Sequence, residues 1–78
     1  MPRYYFDSRD GDKLVTDDLG VELSGIEAAR DQAAAGLVDF AKDVVPGSTR
    51  RELAIEVRDE AREPLLRTSL VFEVARLR

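Results

Sequence analysis

The sequence predicts an α+β fold, a two-layer ββαββ domain in which a four-stranded antiparallel sheet carries one helix packed on one face. Three observations predict it. Segments near both ends alternate apolar and polar residues, one long central segment repeats its apolar residues every three or four positions, and turn residues separate these segments. A chain of 78 residues provides for one small domain, residues 1–78, with a thin core.

Arg3 to Ser8 reads as the first strand, with Tyr4 and Phe6 on the core face and Tyr5 and Asp7 on the other. Asp10-Gly11 accepts the positive φ of a hairpin turn, so the chain reverses there. The return strand runs around Lys13 to Thr16 and resumes at Val21 to Leu23 after Asp17-Asp18-Leu19-Gly20, where Gly20 marks a bulge or second bend. A two-residue loop sets Phe6 opposite Val15, and a three-residue loop sets it opposite Thr16.

Ser24-Gly25-Ile26-Glu27 has the form of a capping box, which places a helix start at this point. Ile26, Ala29, Ala33, Leu37, Phe40 and Val44 then line one helical face, and Pro46-Gly47 ends the helix. Arg51 to Asp59 alternates Leu53, Ile55 and Val57 against Glu52, Glu56 and Arg58. After the turn at Glu60 to Pro64, the last strand places Leu66, Leu70, Phe72 and Val74 inward and Arg67, Ser69, Glu73 and Ala75 outward; Val71 breaks the pattern. Strand order stays open, because either edge of each hairpin can meet the other.

Composition removes several classes of chemistry. The chain has no His and no Cys, so Ser-His-Asp and Cys-His sites, disulfides and the usual structural zinc sites are excluded within it. No cofactor is implied, and the residue types point away from an enzyme. No apolar run reaches the length of a membrane span, and the first residues lack a secretion pattern, so a cytoplasmic protein without membrane contact is expected. A net charge of -4 argues against nucleic acid as a partner, because binding phosphate needs a clustered cationic face. The first-strand aromatics do not reverse this, since two of the three rings belong to the core and Glu52, Glu56 and Glu73 are expected beside Tyr5.

The acidic residues Asp7, Asp10, Asp12, Asp17 and Asp18 raise the prospect of a divalent cation site. Their spacing does not match a calcium loop: with Gly11 at the glycine position, the first ligand falls on Phe6. Turn formation and solubility are the reading favoured here, with a metal-dependent factor or small enzyme using Asp10, Asp12, Asp17 and Asp18 as the alternative. Asp17, Asp18 and Glu22 as an acid–base pair lack a cleft in so short a chain.

The best functional candidate is the open face of the sheet or one of its edges, with Tyr5, Arg67 and Val71 as the interaction surface. Tyr5 and Val71 on adjacent strands would form a small apolar patch. The resulting expectation is a non-enzymatic interaction or regulatory module, self-associating as a homodimer or engaging a protein partner.

The chain resembles a family of small uncharacterised bacterial proteins, a domain of unknown function. Its motifs are an M-P-R-Y-F-F-D opening, here Met1 to Asp7 with Tyr5 for the first Phe, and D-D-x-G-x-E-L at Asp17 to Leu23. An L-E-A-A-R helix start corresponds to Ile26 to Arg30, and R-E-L-A-I-E-V-R-D stands at Arg51 to Asp59. The resemblance spans nearly the whole length, implies the same fold and supplies no catalytic residues. Where the family often has Gly in the last hairpin turn, this chain has Arg62, so either the turn differs or it carries about 1 kcal/mol of strain from a non-glycine residue at positive φ.

Overall fold

A computed structural model describes residues 1–78. Its elements are β1 (Arg3–Asp10), β2 (Lys13–Val15), β3 (Val21–Glu22), α1 (Ile26–Val44), β4 (Arg50–Arg58) and β5 (Pro64–Glu73). The α+β architecture with one helix on an antiparallel sheet is as the sequence predicts. The strand count is not: the sheet has five strands, because the second predicted strand is broken into β2 and β3, both paired with β1. The break occurs at Asp17, whose side chain accepts the Phe6 amide that a continuous strand would have bonded.

The main order is β2-β1-β4-β5, so β1 and β4 are central and β5 forms one edge. All pairings are antiparallel. Asp10 pairs with Lys13, which makes Gly11-Asp12 the turn and sets Ser8 opposite Val15. Both expected registers are therefore corrected. Continuing the pairing places Phe6 opposite position 17, and the Phe6 amide donates to the Asp17 carboxylate at 3.1 Å instead of to a strand carbonyl.

The core lies between α1 and the β1–β4–β5 face. Ala29, Ala33 and Leu37 of the helix bury against Tyr4, Leu53, Ile55 and Val57, with Phe6, Phe40, Leu66 and Leu70 closing the margin. Small side chains at Ala29 and Ala33 let the helix approach the sheet closely, and at about 1.5 Å per residue α1 reaches roughly 28 Å along it. Ile26, expected on the buried helical face, is 41% exposed. It is the first residue of the helix.

The helix begins differently from the expected capping box. Gly25 is the N-cap and makes no side-chain cap hydrogen bond. Moving the cap one residue past Ser24 leaves no hydroxyl to accept an N-terminal amide, so the Ser24–Glu27 reciprocity is lost. The C-terminus does stop at Pro46-Gly47: Gly47 has φ 85, and the Ser48 hydroxyl donates to the Val44 carbonyl at 2.8 Å. In the β4–β5 turn, Arg62 adopts φ 66, the strained alternative that its side chain implied. The turn is held by the Arg62 amide on the Asp59 carbonyl at 3.0 Å and the Glu63 amide on Asp59 Oδ1, also at 3.0 Å.

Candidate functional site

The sheet presents two distinct surfaces: the open face with its acidic loop, and the β5 edge. On the open face, antiparallel register sets Tyr5 opposite Arg58 and Asp7 opposite Glu56. Arg58 Nε donates to Asp7 Oδ2 at 2.9 Å, and Arg58 Nη2 donates to the Asp17 carbonyl at 2.7 Å. The Asp17 amide completes the circuit by donating to Asp7 Oδ1 at 2.9 Å. With their side chains only 12% and 18% exposed, Asp7 and Arg58 form the most sheltered ion pair of the molecule. The Arg58 guanidinium also lies 4.6 Å from the Tyr5 ring centre, a cation–π distance.

Asp17 is the hub of the acidic loop. Its Oδ1 accepts from the Leu19 amide at 3.0 Å and the Gly20 amide at 3.2 Å, while Oδ2 holds the Phe6 amide. Partial burial acts to raise its carboxyl pKa. The amides of Phe6, Gly20 and Leu19, with the positive charge of Arg58, outweigh it and hold the group below the ordinary carboxylate value. The Arg58 pKa is raised, first by its hydrogen bond to Asp7 and then by the surrounding negative charge.

Gly20 seats this loop on β1. It has φ +70, and a Cβ there would lie 2.9 Å from the Tyr5 ring carbon Cε2 and 3.0 Å from the Tyr4 carbonyl. Tyr5 is thus flanked by Gly20 and Arg58, where Glu52, Glu56 and Glu73 had been expected as company. The expected patch of Tyr5 with Val71 on adjacent strands is also corrected. β4 lies between β1 and β5, and Val71 faces Glu52 while Tyr5 faces Arg58, about 20 Å away along β4.

The remaining acidic residues are dispersed. Asp10 lies on the helix-side face and accepts from Arg51 Nη1 at 2.7 Å, and Asp12 occupies the exposed turn. Asp18 is exposed at the rim of a small polar recess of about 220 Å³ with Tyr5, Arg58 and Arg62. No three His, Cys, Asp or Glu side chains converge as a metal set. Asp10, Asp12, Asp17 and Asp18 are therefore not brought together.

Arg67 and Val71 lie on β5. Arg67 stands opposite Glu56, 3.8 Å from it, and Glu56 also accepts from Arg9 Nε at 3.1 Å. At the far end, Arg50 donates to Glu73, its cross-strand neighbour. Val71 is 60% exposed. The outer side of β5 pairs with no other strand, and its row of main-chain groups is open. On the helix side, an apolar groove of about 470 Å³ runs beside it, lined by Val38, Ala41, Val45, Leu70 and Phe72.

Sequence reasoning missed Arg58 and the structural role of Asp7 and Asp17. The signal was present in part, since Tyr5, Asp7 and Arg58 were already assigned to the polar faces of their strands. Joining them needed the strand order, which hairpin signals leave open. No helix is long and apolar enough to cross a membrane.

No curated protein and no solved structure matches this chain. Residues 3–71 match a domain of unknown function, DUF6894, and the chain belongs to that family.

Proposed function

We propose that the domain is a small non-enzymatic interaction or regulatory module that self-associates through the sheet, with β5 as the contact. The observation that carries this reading is the ten-residue edge strand with no partner on its outer side. Folded proteins commonly shorten such an edge, charge it or cover it, because free strand amides and carbonyls template further pairing. β5 has none of these protections along its middle, where Thr68, Ser69, Leu70 and Val71 follow one another without a charge.

The open face supports association less well. Its Tyr5 ring is flanked by Arg58 and Gly20, and four of its charges are paired within the chain, through Asp7–Arg58 and Arg9–Glu56. Strand addition at an edge needs no such free face, since main-chain hydrogen bonds supply the affinity. The metal-dependent alternative finds no support in the loop, where Asp10 and Asp17 already hold internal partners.

Light scattering across a dilution series from millimolar to micromolar tests the proposal. Dimer mass at the concentrated end that falls on dilution is the expected result. Monomer mass throughout would remove self-association. Amide shifts at Asp10, Asp12, Asp17 and Asp18 that saturate on titration with Ca²⁺, Mg²⁺ or Mn²⁺ would favour the alternative.

A further inference from the structure

We propose that the occupant of the β5 edge is a second copy of this chain, paired antiparallel with Leu70 on the two-fold axis. Arg67 then stands opposite Glu73 of the second copy and Ser69 opposite its Val71. This register rests on the self-association proposed above and deepens it by naming the contact.

The Val74 amide donates to the Thr49 carbonyl at 2.8 Å, which makes Val74 and Thr49 a hydrogen-bonded pair of the β4–β5 ladder. Such pairs alternate along an antiparallel ladder, so Phe72, Leu70 and Thr68 also spend their main-chain groups on β4. The amides and carbonyls of Arg67, Ser69, Val71 and Glu73 therefore point away from the sheet. Gly11 donating to the Glu52 carbonyl at 2.9 Å agrees, because it assigns the even positions of β4 to β1 and leaves the odd ones for β5. Pro64, which has no amide hydrogen, lies outside the stretch that pairs.

Charge then selects the register. Arg67 and Glu73 are the only charged residues of β5. Centring the pair on Leu70 sets these two opposite each other twice, once on each side of the axis. Centring it on Ser69 sets Arg67 against Val71 and Glu73 against Leu65. Centring it on Val71 sets Glu73 against Ser69 and moves Arg67 past the end of the strand. All three keep the outward-pointing groups matched, yet only the first pairs every charge with its opposite.

The favoured register also extends a ladder that each chain begins on its own open face. Arg9, Glu56 and Arg67 alternate in sign across β1, β4 and β5, and Glu73 and Arg50 continue the alternation in the second copy. Arg67 has only a 3.8 Å contact to Glu56, so most of its guanidinium donors are uncommitted. On the opposite face, Leu70 meets Leu70 of the second copy, and the groove between α1 and β5 becomes a valley shared by two helices. The four paired positions would exchange about eight main-chain hydrogen bonds, two per hydrogen-bonded pair.

Two measurements on the full chain test the register. Because the protein has no cysteine, Leu70→Cys introduces a lone thiol. Directly opposed residues of a non-hydrogen-bonded pair lie within disulfide reach, so rapid oxidation to a covalent dimer is expected. Ser69→Cys alone would place its thiols off register and should cross-link poorly. Charge exchange supplies the second measurement and needs no core substitution. Arg67→Glu and Glu73→Arg should each weaken self-association by about tenfold, and an equimolar mixture of the two variants should recover it as a heterodimer.

Covalent dimer from Leu70→Cys together with recovery in the mixture supports the register. Efficient cross-linking of Ser69→Cys, or no recovery on mixing while the unaltered chain is dimeric, overturns the register and leaves self-association standing. A chain that is monomeric at every concentration overturns both.

Discussion

Along β1 the sheet is finished by strands of three and two residues, separated by a loop that folds back on its own edge; along β5 it ends in ten unbroken residues. The first edge is closed by a carboxylate. Asp17 accepts the Phe6 amide that a continuous strand would have bonded, and its other oxygen gathers Leu19 and Gly20. The second edge has no such side chain, and its charges stand apart at Arg67 and Glu73. A gap in strand pairing can thus be closed within one chain by a side chain, whereas ten unbroken edge residues leave their outward hydrogen bonds to water or to another strand.

The largest expected effect comes from breaking the closed edge. Asp17→Ala removes acceptors from three amides, two of them partly buried, and should lower unfolding free energy by about 3 kcal/mol in urea denaturation, after allowing for solvent at the exposed position. Gly20→Ala acts on the same edge by sterics. A methyl group there meets Arg3, Tyr5 and a main-chain oxygen at a left-handed φ, and a loss of about 2 kcal/mol is expected.

Acid provides a graded version of the same break. The Asp17 carboxyl is held below its ordinary value of 3.8, so its contribution is complete above that value and is lost as the pH falls through the lower folded value. Denaturation midpoints followed downward from neutral pH should show this loss, and Asp17→Asn should flatten that part of the profile. A stability that changes equally in both proteins would assign the acid sensitivity elsewhere.

Smaller effects belong to the other half of the sheet. Arg62→Gly relieves a left-handed conformation in the β4–β5 turn and should raise stability by about 1 kcal/mol, with no change in self-association. Val71→Lys, in the middle of the open edge, should change stability by less than about 0.5 kcal/mol and yet weaken association in light scattering. If Val71→Lys instead unfolds the chain, the edge is part of the monomer's core and the comparison between the two edges fails.

Much of this architecture was legible before any coordinates. Alternation at Leu53, Ile55 and Val57 and the three-to-four spacing at Ala29, Ala33 and Leu37 locate the core directly, because burial repeats with the period of the element that carries it. The family resemblance pointed to the same fold. What stayed hidden depended on contacts distant in sequence. Asp7 and Arg58 are 51 residues apart and meet only because β1 and β4 are neighbours. The break at Asp17 was equally hard to read, since an aspartate in a turn and an aspartate replacing a strand look alike until the register is known. Gly20 signalled a bend there, although not the ring beneath it.

Hydrogen exchange of the β5 amides across concentration distinguishes a free edge from a paired one. Thr68, Leu70 and Phe72 should be protected at every concentration, while Arg67, Ser69, Val71 and Glu73 should gain protection only as the protein is concentrated. Rapid exchange of those four amides at all concentrations would contradict pairing at this edge.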